Sequence, residues 1–116
     1  MGSFIEIGKT SDLADGEKKK VTMQGQEIML AKTGGRYFAT QNRCPHLGGN
    51  LSAGTLEGTV ITCPLHGSQF DITDGHNVRW MRGKGLAAVV GKAIKPPRPI
   101  KTYNLKIEGG VILVEV

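Results

Sequence analysis

This 116-residue chain has two cysteines and three histidines, and four of those five residues fall into one pattern. Cys44-Pro45-His46-Leu47-Gly48-Gly49 is followed, sixteen residues after His46, by Cys63-Pro64-Leu65-His66-Gly67-Ser68. Each segment places Pro directly after Cys and Gly shortly after His. Chance would scatter so few residues, so the clustering points to a metal site. Thiolate and neutral imidazole are ligands for zinc, iron or copper, and two of each make a Cys2His2 set. Zinc fingers of that composition keep Cys with Cys and His with His. Here each loop offers one of each, which suits a binuclear centre with two Cys on one iron and two His on the other. A zinc-stabilised or redox-sensing interaction module is the competing reading from a different class.

Cys44-x-His46 and Cys63-x2-His66, with Gly48 and Gly67-Ser68 in place, resemble the two cluster-binding loops of the Rieske iron–sulfur family. The motif region covers roughly residues 42 to 72. The tail, with Ile100-Lys101-Thr102-Tyr103 and a final strand, is similar to the closing strands of small Rieske ferredoxins. The resemblance implies one [2Fe-2S] cluster per chain, with Cys44 and Cys63 on one iron and His46 and His66 on the other. Neutral imidazole donates less charge than thiolate, so the His-bound iron is the easier one to reduce. With two thiolates the oxidised cluster is neutral, two charge units less negative than an all-Cys cluster, and its potential is correspondingly higher. If the ligand imidazoles carry solvent-linked protons, the potential is expected to fall as pH rises through their ionisation. Pro45 and Pro64 stiffen the loops and remove competing donors, while Gly48, Gly49 and Gly67 let backbone approach the sulfides.

Departures from the family pattern carry information. High-potential relatives have an additional Cys in each loop, forming a disulfide; here those positions are Gly49 and Leu65. Those relatives also donate to cluster sulfur from a Ser and a Tyr. Ser68 is kept here, but the Tyr position is Phe70. The expected potential therefore lies in the lower to middle part of the roughly −150 to +300 mV Rieske range.

The resemblance implies a one-electron carrier with no catalytic residue of its own, passing electrons from a flavin-dependent reductase to a terminal oxygenase or comparable reductase. The alternative is a bound Rieske-like small subunit of a multi-subunit oxidoreductase such as nitrite reductase. The oxygenase itself is excluded, because its mononuclear iron needs two more His and a carboxylate, and only His76 remains. His76, in a turn with Asp74 and Gly75, is read as exposed and non-ligating; Trp80 and Tyr103 are read as packing residues.

Both cysteines are claimed as ligands, leaving none for a disulfide, which fits a reducing compartment. Met1–Ile7 lacks the pattern of a signal peptide, and the longest uninterrupted aliphatic run, Leu86–Val90, is far short of a membrane span. A soluble, cytoplasmic protein is expected. Charge is uneven: residues 1–74 carry seven Lys/Arg against eight Asp/Glu, and residues 75–116 carry eight against two. The basic residues from Arg79 to Lys106 form either a solvated face or a docking surface for an acidic redox partner. Nucleic acid is disfavoured, since aromatics are few and no binding motif accompanies the charge.

Positioning such loops falls to short strands. Gly-rich turns between short apolar stretches predict an all-β fold, a small sandwich or barrel. Expected strands are Phe4–Ile7, Val21–Met23, Glu27–Lys32, Arg36–Thr40, Val60–Thr62, Gln69–Ile72, Tyr103–Ile107 and Val111–Val116, with one helical turn over 10–15. Residues 1–116 are read as a single domain, in which a cluster-binding lobe (42–72) is inserted into a basal β part (1–41 and 73–116). Leu86–Ile94 is compatible with a short helix or a buried strand, and Gly83, Gly85 and Gly91 argue against regular structure there.

Overall fold

In the computed structural model, residues 3–45, 49–64, 67–79 and 98–115 are described. Their strands form three antiparallel sheets. The first holds β1 (Phe4–Lys9), β11 (Val111–Glu115) and β10 (Leu105–Glu108), in the order β1-β11-β10. The second holds β2 (Lys18–Met23), β3 (Gln26–Thr33), β4 (Arg36–Gln41) and β9 (Thr102–Tyr103), in chain order. The third holds β5 (Thr55–Glu57), β6 (Val60–Thr62), β7 (Gln69–Asp71) and β8 (Asn77–Arg79).

The meander β2-β3-β4 follows from its turns. Gln24-Gly25 and Gly34-Gly35 all have positive φ, the conformation that two-residue hairpin loops need to match strand twist. Asn104 alone separates β9 from β10, so the chain passes from the second sheet to the first across one residue.

Strand β3 carries the architecture. Ile28, Met29, Leu30 and Ala31 have no exposed surface, and alternation sends them to opposite faces. Ile28 and Leu30 join Ile7, Leu13, Ala39, Ile112 and Val114 in the core between the first two sheets. Met29 and Ala31 join Leu51, Ile61, Phe70, Ile72 and Ile100 in a second core, and both cysteines belong to it.

Four details differ from the sequence expectation, the first being that the single strand expected over Tyr103–Ile107 is split at Asn104 into β9 and β10, which belong to different sheets. The helical turn is shorter, a 3-10 turn over Thr10–Asp12, and Asp12 accepts the Lys9 N–H at 2.9 Å rather than capping forward. Strand β5 was not anticipated. The third sheet also continues past Ile72 through β8, as far as Arg79. Leu86–Ile94 and Trp80 lie outside the described residues.

Candidate metal centre

The two Cys-containing segments are built alike. Cys44 follows β4 by three residues, and its N–H donates to the Gly49 carbonyl at 2.7 Å. Cys63 directly follows β6, and its N–H donates to the Ser68 carbonyl, also at 2.7 Å. Each loop is thus closed by a hydrogen bond from the cysteine to the fifth residue after it. The second loop is the tip of the β6–β7 hairpin, and Gly67 N–H returns to the Cys63 carbonyl at 3.1 Å. Gly67 has φ 76°, which an L side chain would resist.

Cys44 and Cys63 are each 2 % exposed, lie in one buried cluster, and neither is in a disulfide. Ser68 and Phe70 are fully buried. Phe70 occupies the cysteine-bearing core as an apolar residue, consistent with its lack of a hydroxyl. His46 and His66 lie outside the described residues. Among the described residues no group of three or more His, Cys, Asp or Glu side chains is placed to hold a metal.

The flank of the first loop holds groups that the motif does not reveal. Asn42 is fully buried, and its side-chain amide donates to Glu27 Oε1 at 3.2 Å and to Asn50 Oδ1 at 2.6 Å. Asn42 Oδ1 accepts the Ser52 N–H at 2.9 Å, and Ser52 Oγ donates to Asn50 Oδ1 at 2.7 Å. Its backbone bonds both ways as well, to Glu27 O and from Leu51 N. One buried amide therefore ties β3, the exit of β4 and the return of the loop together. The only sequence signal was an Asn on either side of the segment, at 42 and 50. At the second loop, Gln69 Nε2 donates to Thr62 Oγ1 at 3.1 Å across the neck.

His76 is exposed, with Nδ1 2.6 Å from Asp74 Oδ1. The Asp74 carboxyl is held below its ordinary value, first by the His76 N–H and then by the His76 ring. Tyr103 packs half-buried at the edge of the basal core, its hydroxyl donating to Gln26 Oε1 at 2.8 Å. No helix among the described residues is long and apolar enough to cross a membrane.

The donor set fits an iron–sulfur centre: two thiol side chains shielded from water in one core, each at the head of a loop closed in the same way, with one His in each loop's sequence. The profile of the Rieske [2Fe-2S] domain matches residues 3–90. The ferredoxin component of the naphthalene 1,2-dioxygenase system of Pseudomonas putida is 35% identical over 113 residues, covering 97% of this chain and 95% of that protein. The solved structure of Sphingomonas yanoikuyae B1 ferredoxin superposes with a TM-score of 0.78 at 28% identity, covering 98% of this chain and 99% of that one. The terminal oxygenase of carbazole 1,9a-dioxygenase from Nocardioides aromaticivorans IC177 also matches, with a TM-score of 0.81 at 29% identity. That match covers 97% of this chain but 30% of the oxygenase, so only one domain is shared. The chain belongs to the Rieske [2Fe-2S] family, and it is an electron carrier of the ferredoxin type with a Rieske-type cluster, not an enzyme.

Proposed function

We propose that Cys44 and Cys63 hold one iron, that His46 and His66 hold the other, and that the Ser68 hydroxyl donates to a cluster sulfur. The supporting observation is the pair of matched loops, each closed from Cys N–H to the fifth residue on, whose cysteines share one buried core. Bound there, the cluster supplies a site that takes up and releases one electron. The chain's own part is to keep water from the thiolates, to fix the loop backbone and to present the histidine-containing turns. The same proposal treats residues 1–116 as a single domain with 42–72 as its cluster-binding lobe, since β3 contributes to both cores.

The terminal acceptor in this proposal is an aromatic-ring dioxygenase, and the donor a flavin-dependent reductase, by analogy with the naphthalene system's ferredoxin component. Docking would use the basic residues between Arg79 and Lys106. Of these, Arg79, Arg98, Lys101 and Lys106 are exposed among the described residues. The compartment is the cytoplasm, where thiols stay reduced.

Redox titration followed by low-temperature EPR tests the ligand set. A one-electron signal with the low average g of mixed Cys/His ligation, lost in His66→Ala, is the expected result. A colourless, EPR-silent protein containing zinc would overturn it in favour of a structural metal module. Electron delivery to a purified dioxygenase that slows with added salt would support the carrier role and its basic docking face. Copurification as a fixed subunit, without exchange, would favour the bound-subunit alternative.

A further inference from the structure

The two ligand loops close alike but are held differently. Asn42, neutral and buried, supports the first from inside. The second is gripped from outside by a cation: Arg79 donates to the Gly67 carbonyl from Nε at 3.0 Å and from Nη2 at 2.9 Å. Two N–H groups of one guanidinium on one oxygen make a charge-assisted pair, stronger and more directional than a neutral bond.

A local irregularity puts Arg79 there. The β7–β8 ladder pairs Phe70 with Asn77 but Gln69 with Arg79, so Val78 is an extra residue on β8. This bulge leaves Val78 47% exposed and sets Arg79, rather than Val78, opposite Gln69. The Asn77 side-chain amide secures it, donating to the Gln69 carbonyl at 3.1 Å and the Arg79 carbonyl at 3.0 Å. Bulges of this kind re-aim a side chain next to a functional site.

The carbonyl that Arg79 holds is informative. Gly67 has φ 76°, and a glycine lets the following peptide plane rotate easily. In a trans peptide the C=O and the next N–H point in opposite directions. Fixing the Gly67 carbonyl on Arg79 therefore directs the Ser68 N–H away from Arg79, and Ser68 has no exposed surface.

We propose that Arg79 is a positioning residue of the electron-transfer centre: its guanidinium fork locks the Gly67–Ser68 peptide, and through it the reduction potential. This rests on the assignment of Cys63 and His66 as ligands. Arg79 is not there merely as part of a basic docking face.

Arg79→Met and Arg79→Lys, purified with the cluster, are compared with wild type at high ionic strength, where the field of an exposed cation is screened. Redox titration, EPR of the reduced form and thermal melting are recorded for each. In Arg79→Met the ratio of reduced to oxidised protein at fixed potential is expected to fall about threefold, or about 28 mV at 59 mV per tenfold change. Its g values are expected to shift or broaden. Arg79→Lys keeps the charge but not the fork, and is expected to show the same spectral change. It decides alone if Arg79→Met does not fold. Lower melting with a wild-type midpoint and spectrum would make Arg79 a stabilising residue only and overturn the proposal. So would Arg79→Lys matching wild type in both. A wild-type protein without the Rieske signal would remove the ligand assignment itself, and this proposal with it.

Discussion

Ser68 ends the second loop with no surface left to solvent, so whatever its hydroxyl bonds to lies inside the protein. If it favours the reduced cluster by about 1–2 kcal/mol, Ser68→Ala should lower the midpoint by about 40–90 mV for a one-electron couple. A titration with no shift would show that the hydroxyl points elsewhere. Asn42 acts differently, because its side chain bonds three groups from two parts of the chain. Asn42→Ala should cost about 2–3 kcal/mol in denaturant unfolding, since buried partners lose their bonds as well. It should also loosen the first loop. Unchanged stability would mean that water replaces the amide. The Rieske family was legible in the Cys and His spacings because four scarce residues repeat a design. Asn42 and Arg79 were not legible, because a lone polar residue has no period and its role depends on contacts made across the fold. Arg79 was grouped with the basic run, whereas its guanidinium is engaged by a loop carbonyl.

Among the elements, the β6–β7 hairpin is fastened at both ends. The Cys63–Ser68 hydrogen bond closes one end, and Asp71 clips the other. Its Oδ1 accepts the Thr73 hydroxyl at 2.5 Å and the Thr73 N–H at 2.9 Å, and its Oδ2 accepts the Thr59 hydroxyl at 3.2 Å. Burial pushes the Asp71 carboxyl up, but the Thr73 and Thr59 hydrogen bonds outweigh it, and the net shift is below the ordinary 3.8. A carboxyl depressed in the folded state contributes stability that is present above its unfolded value of about 3.9 and lost as pH falls through the folded value. Asp71→Asn should therefore destabilise the protein at neutral pH by about 1 kcal/mol. The gap from wild type should narrow below about pH 4. A gap independent of pH would show that shape, not charge, matters there. Strands long enough to alternate, such as Gln26–Thr33 and Val111–Glu115, were anticipated from sequence. Thr55–Glu57 and Asn77–Arg79 were not: three residues carry little periodicity, and the second is also bulged. Gly75 was read only as a turn signal. The structure adds a second reason for glycine at φ 83°, because a Cβ there would land on the Ile100 carbonyl.

At the scale of the molecule, the two cores share β3 and its neighbour β4, whose Phe38 packs on the cysteine-bearing core while Tyr37 and Ala39 serve the basal one. An unbroken run, Ile28-Met29-Leu30-Ala31, announces burial on both faces. It cannot say which face meets the cysteines; the packing shows that Met29 and Ala31 do, while Ile28 and Leu30 face the basal core. The arrangement predicts an uneven response to chelation. Metal bound only by the folded state stabilises the part that binds it, and under the proposed ligand assignment that part is the cysteine-bearing core. Amide hydrogen exchange on the metal-free protein should show Cys44 and Cys63 N–H exchanging fast. Ile28 to Ala31 should stay slow, held by ladders on either side. Uniform loss of protection would mean that the two cores melt as one.

A wall common to two rooms stays standing when one of them is emptied. For this chain, the consequence is an assembly order: once β11 has been made and can pair with β1, the basal sheets can form before any iron arrives, offering an unfilled but pre-shaped receiver. Insertion of the cluster would then be a local closing of two loops against a finished strand, and a cell short of iron would accumulate half-ordered carriers ready for loading rather than unfolded chains.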